Sequence, residues 1–173
     1  DVDISSDPQI VRSAKALILP GVGAFREAME HMGRLGLVDV VKDSVAEGKP
    51  LFGVCLGLQL LFSSSEEFGE TAGLGIIPGK VQKFPVADAA GAKIKIPQVG
   101  WNQIRPPVDD CWHDTPLQVC STGDYMYFVH SFIGVPDNEE NVLCRTSYCG
   151  GDYCSAVRSG DNVIATQFHP EKS

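Results

Sequence analysis

A thiol, an imidazole and a carboxylate stand in this sequence at spacings that suit nucleophilic catalysis. Cys55 lies in the run Gly-Val-Cys-Leu-Gly at 53–57. This run predicts an elbow in which a strand turns sharply into a helix and glycines let the backbone crowd around one reactive side chain. A thiol at a helix N-terminus is favoured as the thiolate. His169 and Glu171 would supply a base and the group that orients it, so the sequence predicts a Cys-His-Glu triad.

The elbow needs a strand before Cys55 and a helix after it, and the apolar pattern predicts both. Residues 49–54 predict a short buried strand. The buried side of the following helix is predicted to consist of Leu58, Leu60, Leu61 and Phe62. Upstream, the pattern predicts a buried strand within 14–20 and helices at 25–32 and 37–46, the second stopped by Gly48. This alternation of strands and helices indicates an α/β fold with a parallel sheet.

The rest of the chain is richer in strands. Short strands are predicted at 80–84 and 93–96, and longer ones at 125–132, 142–148, 154–158 and 163–168. Glycine and asparagine turns separate the last of these, which predicts an antiparallel C-terminal third. Cys55 and His169 each follow a predicted strand. Sites in open α/β sheets gather at the carboxyl ends of strands, so we expect the two side chains at the same edge.

Composition limits the classes of partner and site. The chain has 173 residues, 43% of them hydrophobic and 21% charged, with a net charge of −8, which predicts a single globular domain over residues 1–173. An acidic chain without a basic cluster argues against nucleic acid or an anionic membrane as a partner. No segment resembles a membrane span or a signal peptide.

The six cysteines are interpreted as reduced thiols of a cytoplasmic enzyme. Cys144, Cys149 and Cys154 recur every five residues, and His113 lies between two further cysteines. Neither set has the closely spaced pairs of a structural zinc site. We therefore expect no metal and no cofactor.

Several motifs together resemble a known family. The run at 53–59, Gly-Val-Cys-Leu-Gly-Leu-Gln, together with His-Pro-Glu at 169–171 resembles the class I, triad-type glutamine amidotransferases. Three further stretches are similar to the glutaminase subunits of imidazole glycerol phosphate synthase: Pro-Gly-Val-Gly-Ala-Phe at 20–25, Val-Gly-Trp-Asn at 99–102 and Tyr-Phe-Val-His-Ser-Phe at 127–132. The resemblance covers essentially the whole chain.

The resemblance also implies an architecture. The family has a flavodoxin-like, mostly parallel sheet flanked by helices, with an additional strand and helix at its start and a further helix after His-Pro-Glu-Lys-Ser. This sequence begins at Asp1 and ends at Ser173, so we expect it to lack those terminal elements and to expose a sheet edge.

The activity implied by the resemblance is hydrolysis of glutamine through a cysteine thioester. The backbone of Leu56 and, after a peptide flip, that of Val22 would form the oxyanion hole. The resemblance assigns glutamine binding to Gly21, Gly23, Gln59, His130, Ser131 and Phe132. Ammonia would pass to a cyclase subunit that makes imidazole glycerol phosphate and AICAR in histidine biosynthesis, forming a heterodimer. The residues assigned to that interface and its ammonia gate are Trp101, Asn102, Tyr127 and Lys172.

Two other classes of protein share parts of this pattern. A peptidase or γ-glutamyl hydrolase of similar fold would have the elbow but would not need the Pro-Gly-Val-Gly turn or a partner. A binding subunit without activity would keep the fold, although an intact Cys55, His169 and Glu171 argues against it. Activity toward glutamine compared with peptides and γ-glutamyl chains separates the first class from a glutaminase. Lack of reaction between Cys55 and a glutamine-like alkylator, even with the partner present, would support the second.

Overall fold

The computed structural model describes residues 2–87 and 91–173. Its α-helices are α1 (Pro8–Ser13), α2 (Phe25–Arg34), α3 (Leu37–Ala46) and α4 (Leu56–Leu60). Its strands are β1 (Leu17–Leu19), β2 (Leu51–Val54), β3 (Phe62–Ser65), β4 (Thr71–Ala72), β5 (Ile77–Lys83), β6 (Gln98–Gln103), β7 (Tyr125–His130), β8 (Phe132–Pro136), β9 (Val142–Tyr148), β10 (Gly151–Ser159) and β11 (Val163–Thr166). Short 3-10 turns cover Pro116–Val119, Glu139–Asn141 and Pro170–Lys172.

The described strands form three sheets that together make a mixed α/β fold. The largest has the order β1-β2-β11-β10-β9. Its first three strands are parallel, whereas β10 pairs antiparallel with both β11 and β9. A second sheet has the order β4-β3-β5-β8, and β6 and β7 form an antiparallel ribbon. The predicted α/β class and the antiparallel character of the last third are confirmed, and parallel pairing in the largest sheet is confined to β1, β2 and β11.

Sequence patterning located most elements, but α1, β3, β4 and β6 were not predicted, and the predicted strand 125–132 is divided into β7 and β8. Three further predictions differ from the structure. The predicted strand within 14–20 is present as β1, but it lies at a sheet edge with Ile18 63% exposed, so the prediction that it is buried is wrong. The helix after Cys55 ends at Leu60, and Phe62 begins β3. Residues 93–96 form only an isolated bridge at Lys93 rather than a strand.

Two hydrophobic clusters hold the layers together and leave the site between them. One packs α2, α3 and α4 against the parallel strands around Phe25, Leu58 and Phe62. The other lies beneath the ribbon around Ile104, Phe128 and Phe168. Within the described ranges, no helix is long and apolar enough to cross a membrane.

Candidate active site

Cys55 occupies a sharp turn between β2 and α4, as the elbow motif predicts. Its backbone has φ 54° and ψ −107°, a conformation that a non-glycine residue adopts only when its surroundings hold it. The Cys55 N–H donates to the carbonyl oxygen of Thr166 at 2.8 Å, which ties the elbow to the end of the neighbouring parallel strand β11. The side chain is only 7% exposed. The turn is therefore held both by β2, which leads into it, and by β11, which lies beside it.

Glycines flank Cys55 because there is no room for side chains. A Cβ on Gly57 would lie 1.8 Å from the carbonyl oxygen of Leu19, and one on Gly53 would lie 2.8 Å from Cβ of Ala165. Both distances are far inside van der Waals contact. The two glycines therefore let α4 pack directly against β1 and the sheet, which sets the position of the elbow.

Burial, rather than the helix terminus, dominates the ionisation of Cys55. Desolvation raises the pKa of its thiol above the ordinary value, and the negative charge of Glu171 raises it further. The backbone N–H of Leu56 and the side-chain amide of Gln167 lower it, but less strongly. The sequence-based expectation of a favoured thiolate is not met, because α4 has only five residues and the sulfur is buried.

His169 and Glu171 lie in the turn after β11 and are in direct contact. Nδ1 of His169 is 2.8 Å from Oε1 of Glu171, while Nε2 of His169 is buried and has no hydrogen-bond partner among the described residues. Burial raises the pKa of Glu171, but its own backbone N–H, its bond with His169 and the charges of His169 and Lys172 lower it overall. A carboxylate at Nδ1 leaves Nε2 as the nitrogen available for chemistry.

One cavity of about 1040 Å³ joins the elbow to the turn after β11. Cys55 and His169 both line it, whereas Glu171 stands behind the imidazole. The other sequence-predicted residues that line this cavity are Val22, Gly23, Leu56, Gln59, His130, Ser131 and Phe132. Nine residues predicted for catalysis or glutamine binding thus lie around one space, which is large enough for an amino acid.

The Pro-Gly-Val-Gly turn lies at the mouth of this cavity. Val22 is 85% exposed and Gly23 has φ +106°, a conformation that favours glycine. Gly21 does not line the cavity, but it packs on the elbow, since a Cβ there would lie 3.1 Å from Cβ of Leu56. The turn is therefore close to the elbow at Cys55 and open to solvent on its other side.

The carbonyl oxygen of Phe132 is the anchor of the opposite wall. It accepts from Nε2 of Gln59 at 3.2 Å and faces Nδ1 of His130 at 2.9 Å. Because a carbonyl only accepts, Nδ1 carries the imidazole proton, and Nε2 accepts from the Tyr153 hydroxyl at 3.3 Å. Burial lowers the pKa of His130 to about 4, so this imidazole is neutral and holds the wall rather than exchanging protons.

Three of the four predicted interface residues lie on the ribbon formed by β6 and β7, and the fourth, Lys172, lies in the 3-10 turn after His169. Trp101 pairs with Tyr127 across the strands, the two rings meet edge to face at 5.8 Å, and Nζ of Lys172 lies 5.2 Å from the Tyr127 ring centroid. We call the exposed side of this ribbon the ribbon face; it consists of Val99, Trp101, Gln103, Tyr125, Tyr127 and Val129. Asn102 is not on it, because its side chain turns inward and accepts from Nε2 of Gln98 at 2.9 Å.

Several residues of the site were not predicted from the sequence. Gln167 follows β11 directly and is fully buried beside Cys55. Cys55 and Gln167 each come directly after a strand, but the sequence does not show that these strands, β2 and β11, are neighbours. Other cavity-lining residues were missed because they come from loops and strand ends: Glu67, Phe68, Lys83, Val86, Lys93, Ile94, Lys95, Ile96 and Val129.

Metal-ligand groupings do not accompany this site. Among residues 2–87 and 91–173 there is no group of three or more His, Cys, Asp or Glu side chains placed to hold a metal ion. All six cysteines are free thiols, and Cys149 is the exposed one. Burial raises the pKa of Cys144 well above the ordinary thiol value and that of Cys154 to about 12, which makes both inert at neutral pH.

Comparison with known proteins places this geometry in a family. Residues 2–173 match the family described as glutamine amidotransferase class-I. The "Imidazole glycerol phosphate synthase subunit HisH" of Syntrophotalea carbinolica is 46% identical over 172 residues, covering 98% of this chain and 80% of that protein. The subunit of the same name from Aquifex aeolicus is 43% identical over 176 residues, covering 100% of this chain and 78% of that protein.

Solved structures agree at the level of the fold. A crystal structure of a glutamine amidotransferase superposes with a TM-score of 0.70 at 24% identity, covering 98% of this chain and 77% of that one. The glutaminase domain of Trypanosoma brucei CTPS with bound acivicin gives a TM-score of 0.62 at 17% identity, with coverages of 96% and 67%. The chain therefore belongs to the class I glutamine amidotransferase family and, within it, to the family of imidazole glycerol phosphate synthase subunits HisH.

Proposed function

We propose that this chain is the glutaminase subunit of imidazole glycerol phosphate synthase. It hydrolyses glutamine to glutamate and ammonia and delivers the ammonia to a cyclase subunit, which makes imidazole glycerol phosphate and AICAR in histidine biosynthesis. The observation that carries the proposal is the cavity that Cys55 and His169 line together, with Nε2 of His169 unpartnered among the described residues, in a chain of this family.

The first half of the reaction forms a thioester. The Cys55 sulfur loses its proton to Nε2 of His169 and attacks the side-chain amide carbon of glutamine, giving a tetrahedral oxyanion. His169 then gives the proton to the departing nitrogen, the C–N bond breaks, and ammonia leaves. Glu171 holds the imidazole by Nδ1 and stabilises its charged form. The γ-glutamyl group remains on Cys55.

The second half repeats the sequence with water. His169 takes a proton from a water molecule, whose oxygen attacks the thioester carbon. The C–S bond then breaks, the Cys55 sulfur takes the proton back from His169, and glutamate is released. The backbone N–H of Leu56, which already lowers the pKa of the sulfur, is one donor to the oxyanion of each half. Val22 supplies the second after a flip of its peptide, which glycine at position 23 makes sterically inexpensive.

Glutamine is held by residues around Cys55. Gln59 from α4 lines the cavity together with His130, Ser131 and Phe132, Gly23 lies at its mouth, and Gly21 packs on Leu56 in the same turn. The amino-acid end of glutamine carries both charges, and the cavity offers a complement to each: the carboxylate of Glu67 and the cations Lys83, Lys93 and Lys95.

The cyclase binds over the ribbon face and the mouth of the cavity. Exposed apolar side chains rim that mouth, with Val22, Phe68 and Val86 all more than 70% exposed, and Val129 belongs to both the rim and the ribbon face. Aromatic side chains such as Trp101 and Tyr127 are favoured interface anchors. A partner seated there closes the cavity, so that ammonia passes to it instead of to solvent. Asn102 supports this face from behind through Gln98.

The cellular setting follows from the same chemistry. The six free thiols, including exposed Cys149, suit a reducing compartment, and we place the enzyme in the cytoplasm. With a net charge of −8, neither nucleic acid nor an anionic membrane surface is proposed as a partner.

The test is ammonia release from glutamine by the chain alone and with its cyclase. We expect little release alone, strong release with the partner and its nucleotide ligand, and none after Cys55→Ala. The matched control is Cys144→Ala, which removes a buried thiol outside the cavity. A single cooperative melt of each variant shows that the chain folds as one domain.

Two results would overturn the proposal. Full turnover by the isolated chain would remove the dependence on a partner. Cleavage of peptides or γ-glutamyl chains in preference to glutamine would identify a different thiol hydrolase.

A further inference from the structure

A chain of three polar groups runs through the interior behind Cys55. Nε2 of Gln167 lies 3.7 Å from the Cys55 sulfur, and Oε1 of Gln167 accepts from Nε2 of Gln59 at 3.1 Å. Nε2 of Gln59 also donates to the carbonyl oxygen of Phe132 at 3.2 Å. Gln167 is fully buried and Gln59 nearly so, hence solvent cannot replace these bonds.

The carbonyl of Phe132 determines the donor and acceptor of every hydrogen bond in this series. The carbonyl of Phe132 only accepts, so Gln59 must turn its NH₂ group toward it. The same NH₂ group meets Gln167, which must therefore present its oxygen. The NH₂ group of Gln167 is then left facing the Cys55 sulfur, and turning it away would break at least one of the other two bonds.

We propose that Gln167 is a positioning residue for the nucleophile: its amide N–H holds the Cys55 sulfur in place and stabilises the thiolate inside a buried site. The inference deepens the proposed glutaminase function, since it assigns a residue to the step that prepares the sulfur for attack. It assigns no contact between Gln167 and glutamine, because Gln167 does not line the cavity.

The physical need for such a donor comes from burial. Desolvation raises the pKa of the Cys55 thiol, and the negative charge of Glu171 acts in the same direction. A fixed N–H dipole pointing at sulfur stabilises the negative form and costs no reorganisation during the reaction. Together with the N–H of Leu56, Gln167 therefore offsets part of the effect of burying the nucleophile.

The test is the pH profile of Cys55 alkylation by iodoacetamide. This reagent needs neither glutamine nor the cyclase, and peptide mass spectrometry reads Cys55 apart from the other thiols. In Gln167→Met, which keeps the size of the side chain but removes the donor, we expect the apparent pKa to rise by about one unit and the rate at neutral pH to fall roughly tenfold. In Gln167→Glu, a carboxylate facing the sulfur should raise the apparent pKa further.

Other titratable groups face the same cavity, so the profile is interpreted as a difference from wild type. Besides Glu171, which stands behind the imidazole, they are Glu67, Lys83, Lys93, Lys95, His130 and His169. Neither substitution changes them. Gln98→Met is the matched control, because it makes the same replacement at an equally buried glutamine outside the cavity; its alkylation profile should match that of wild type.

The outcomes separate this inference from the proposed function. An upward shift in folded Gln167 variants supports the inference even if the wild-type chain hydrolyses no glutamine. An unchanged profile in either folded variant overturns it. If neither variant folds, the side-chain amide resonance of Gln167 in the wild-type chain decides: it should titrate together with Cys55, and a resonance that stays constant across that range contradicts the inference.

Discussion

The two residues of the proposed catalytic pair are held in different ways. Cys55 sits in a turn that the core fixes: glycines let backbone pack on both sides, and β11 binds its N–H. His169 sits in a short turn near the chain end, beside an exposed carboxylate. That turn is tied to β7, because the N–H of His169 donates to the Tyr127 carbonyl at 3.0 Å and Ser173 bridges Tyr127 N and the His169 carbonyl.

The difference teaches which part of the site a partner can adjust. β7 has a buried side that carries His130 and an exposed side that carries Tyr127. A protein that binds the ribbon face reaches the strand that positions His169 without touching Cys55. Cys55 is therefore preorganised by the fold, whereas His169 lies where partner binding can act on it.

The largest expected effect tests how tightly the core fixes Cys55. Gly57→Ala places a methyl group 1.8 Å from the carbonyl oxygen of Leu19, and separating α4 from β1 should lower the free energy of unfolding by about 3 kcal/mol or more. Gly33→Ala is the control, since a Cβ there meets nothing within 4 Å and helix propensity favours alanine. Chemical denaturation measures both; a small loss in Gly57→Ala would contradict the comparison.

The second prediction tests whether the buried side of β7, which carries His130, excludes water as the surroundings of Cys55 do. His130 has its pKa lowered from 6.5 to about 4 by burial, so the unfolded chain binds a proton in this interval and the folded chain does not. The contribution of His130 to the free energy of unfolding is therefore fully present above pH 6.5. It decreases by about 3 kcal/mol as the pH falls from 6.5 toward 4. Denaturation of wild type and His130→Gln at several pH values measures it, and equal slopes in the two would contradict a buried neutral imidazole.

The third prediction concerns the exposed side of the ribbon. Trp101→Ala removes an aromatic group that is 53% exposed and packs on Tyr127. It should weaken binding of the cyclase by about 2 kcal/mol, or roughly thirtyfold in Kd, with little change in stability. Val119→Ala removes an exposed apolar group outside the ribbon face and should leave the affinity unchanged. Calorimetric titration separates the two, and equal affinities would remove the ribbon face as the docking surface.

The smallest expected effect is at the turn that carries the base. Ser173→Ala removes the hydroxyl that bridges β7 and His169, which should cost about 1 kcal/mol locally. We expect kcat in the complex to fall severalfold while KM is kept, and Ser173→Thr to restore it. A loss of kcat that threonine does not restore would indicate a steric role instead of the bridge.

Sequence patterning was most successful where a motif has one structural solution. The glycines around Cys55 and the period of 37–46 predicted the elbow and α3; both ends of α3 and the start of α4 agree with the structure. The segment from Leu58 to Phe62 contains no glycine or proline to mark a boundary, so the sequence did not show where α4 ends and β3 begins. Likewise, an apolar triplet such as Leu17–Leu19 looks the same in a central strand and at a sheet edge.

The missing parts of the site depend on three-dimensional pairing. Gln167 becomes significant only because β2 and β11 are neighbours, a pairing between segments more than 100 positions apart. The ionisation of Cys55 also depends on burial by several elements, which outweighed the local effect of a helix terminus. Local rules therefore predicted the residue types of the triad but not the balance of forces on the thiol.

The most direct measurement is detection of the covalent intermediate. The complex with the cyclase is mixed with glutamine, quenched in acid and digested, and the peptide that contains Cys55 is examined by mass spectrometry. The account predicts a γ-glutamyl group on Cys55 that accumulates when the cyclase is present and is scarce without it. The thioester should be absent from the Cys55→Ser variant, in which His169 and Glu171 are unchanged. Glutamine hydrolysis by the complex with no adduct on Cys55 at any time, or an adduct that forms equally well without the cyclase, would contradict it.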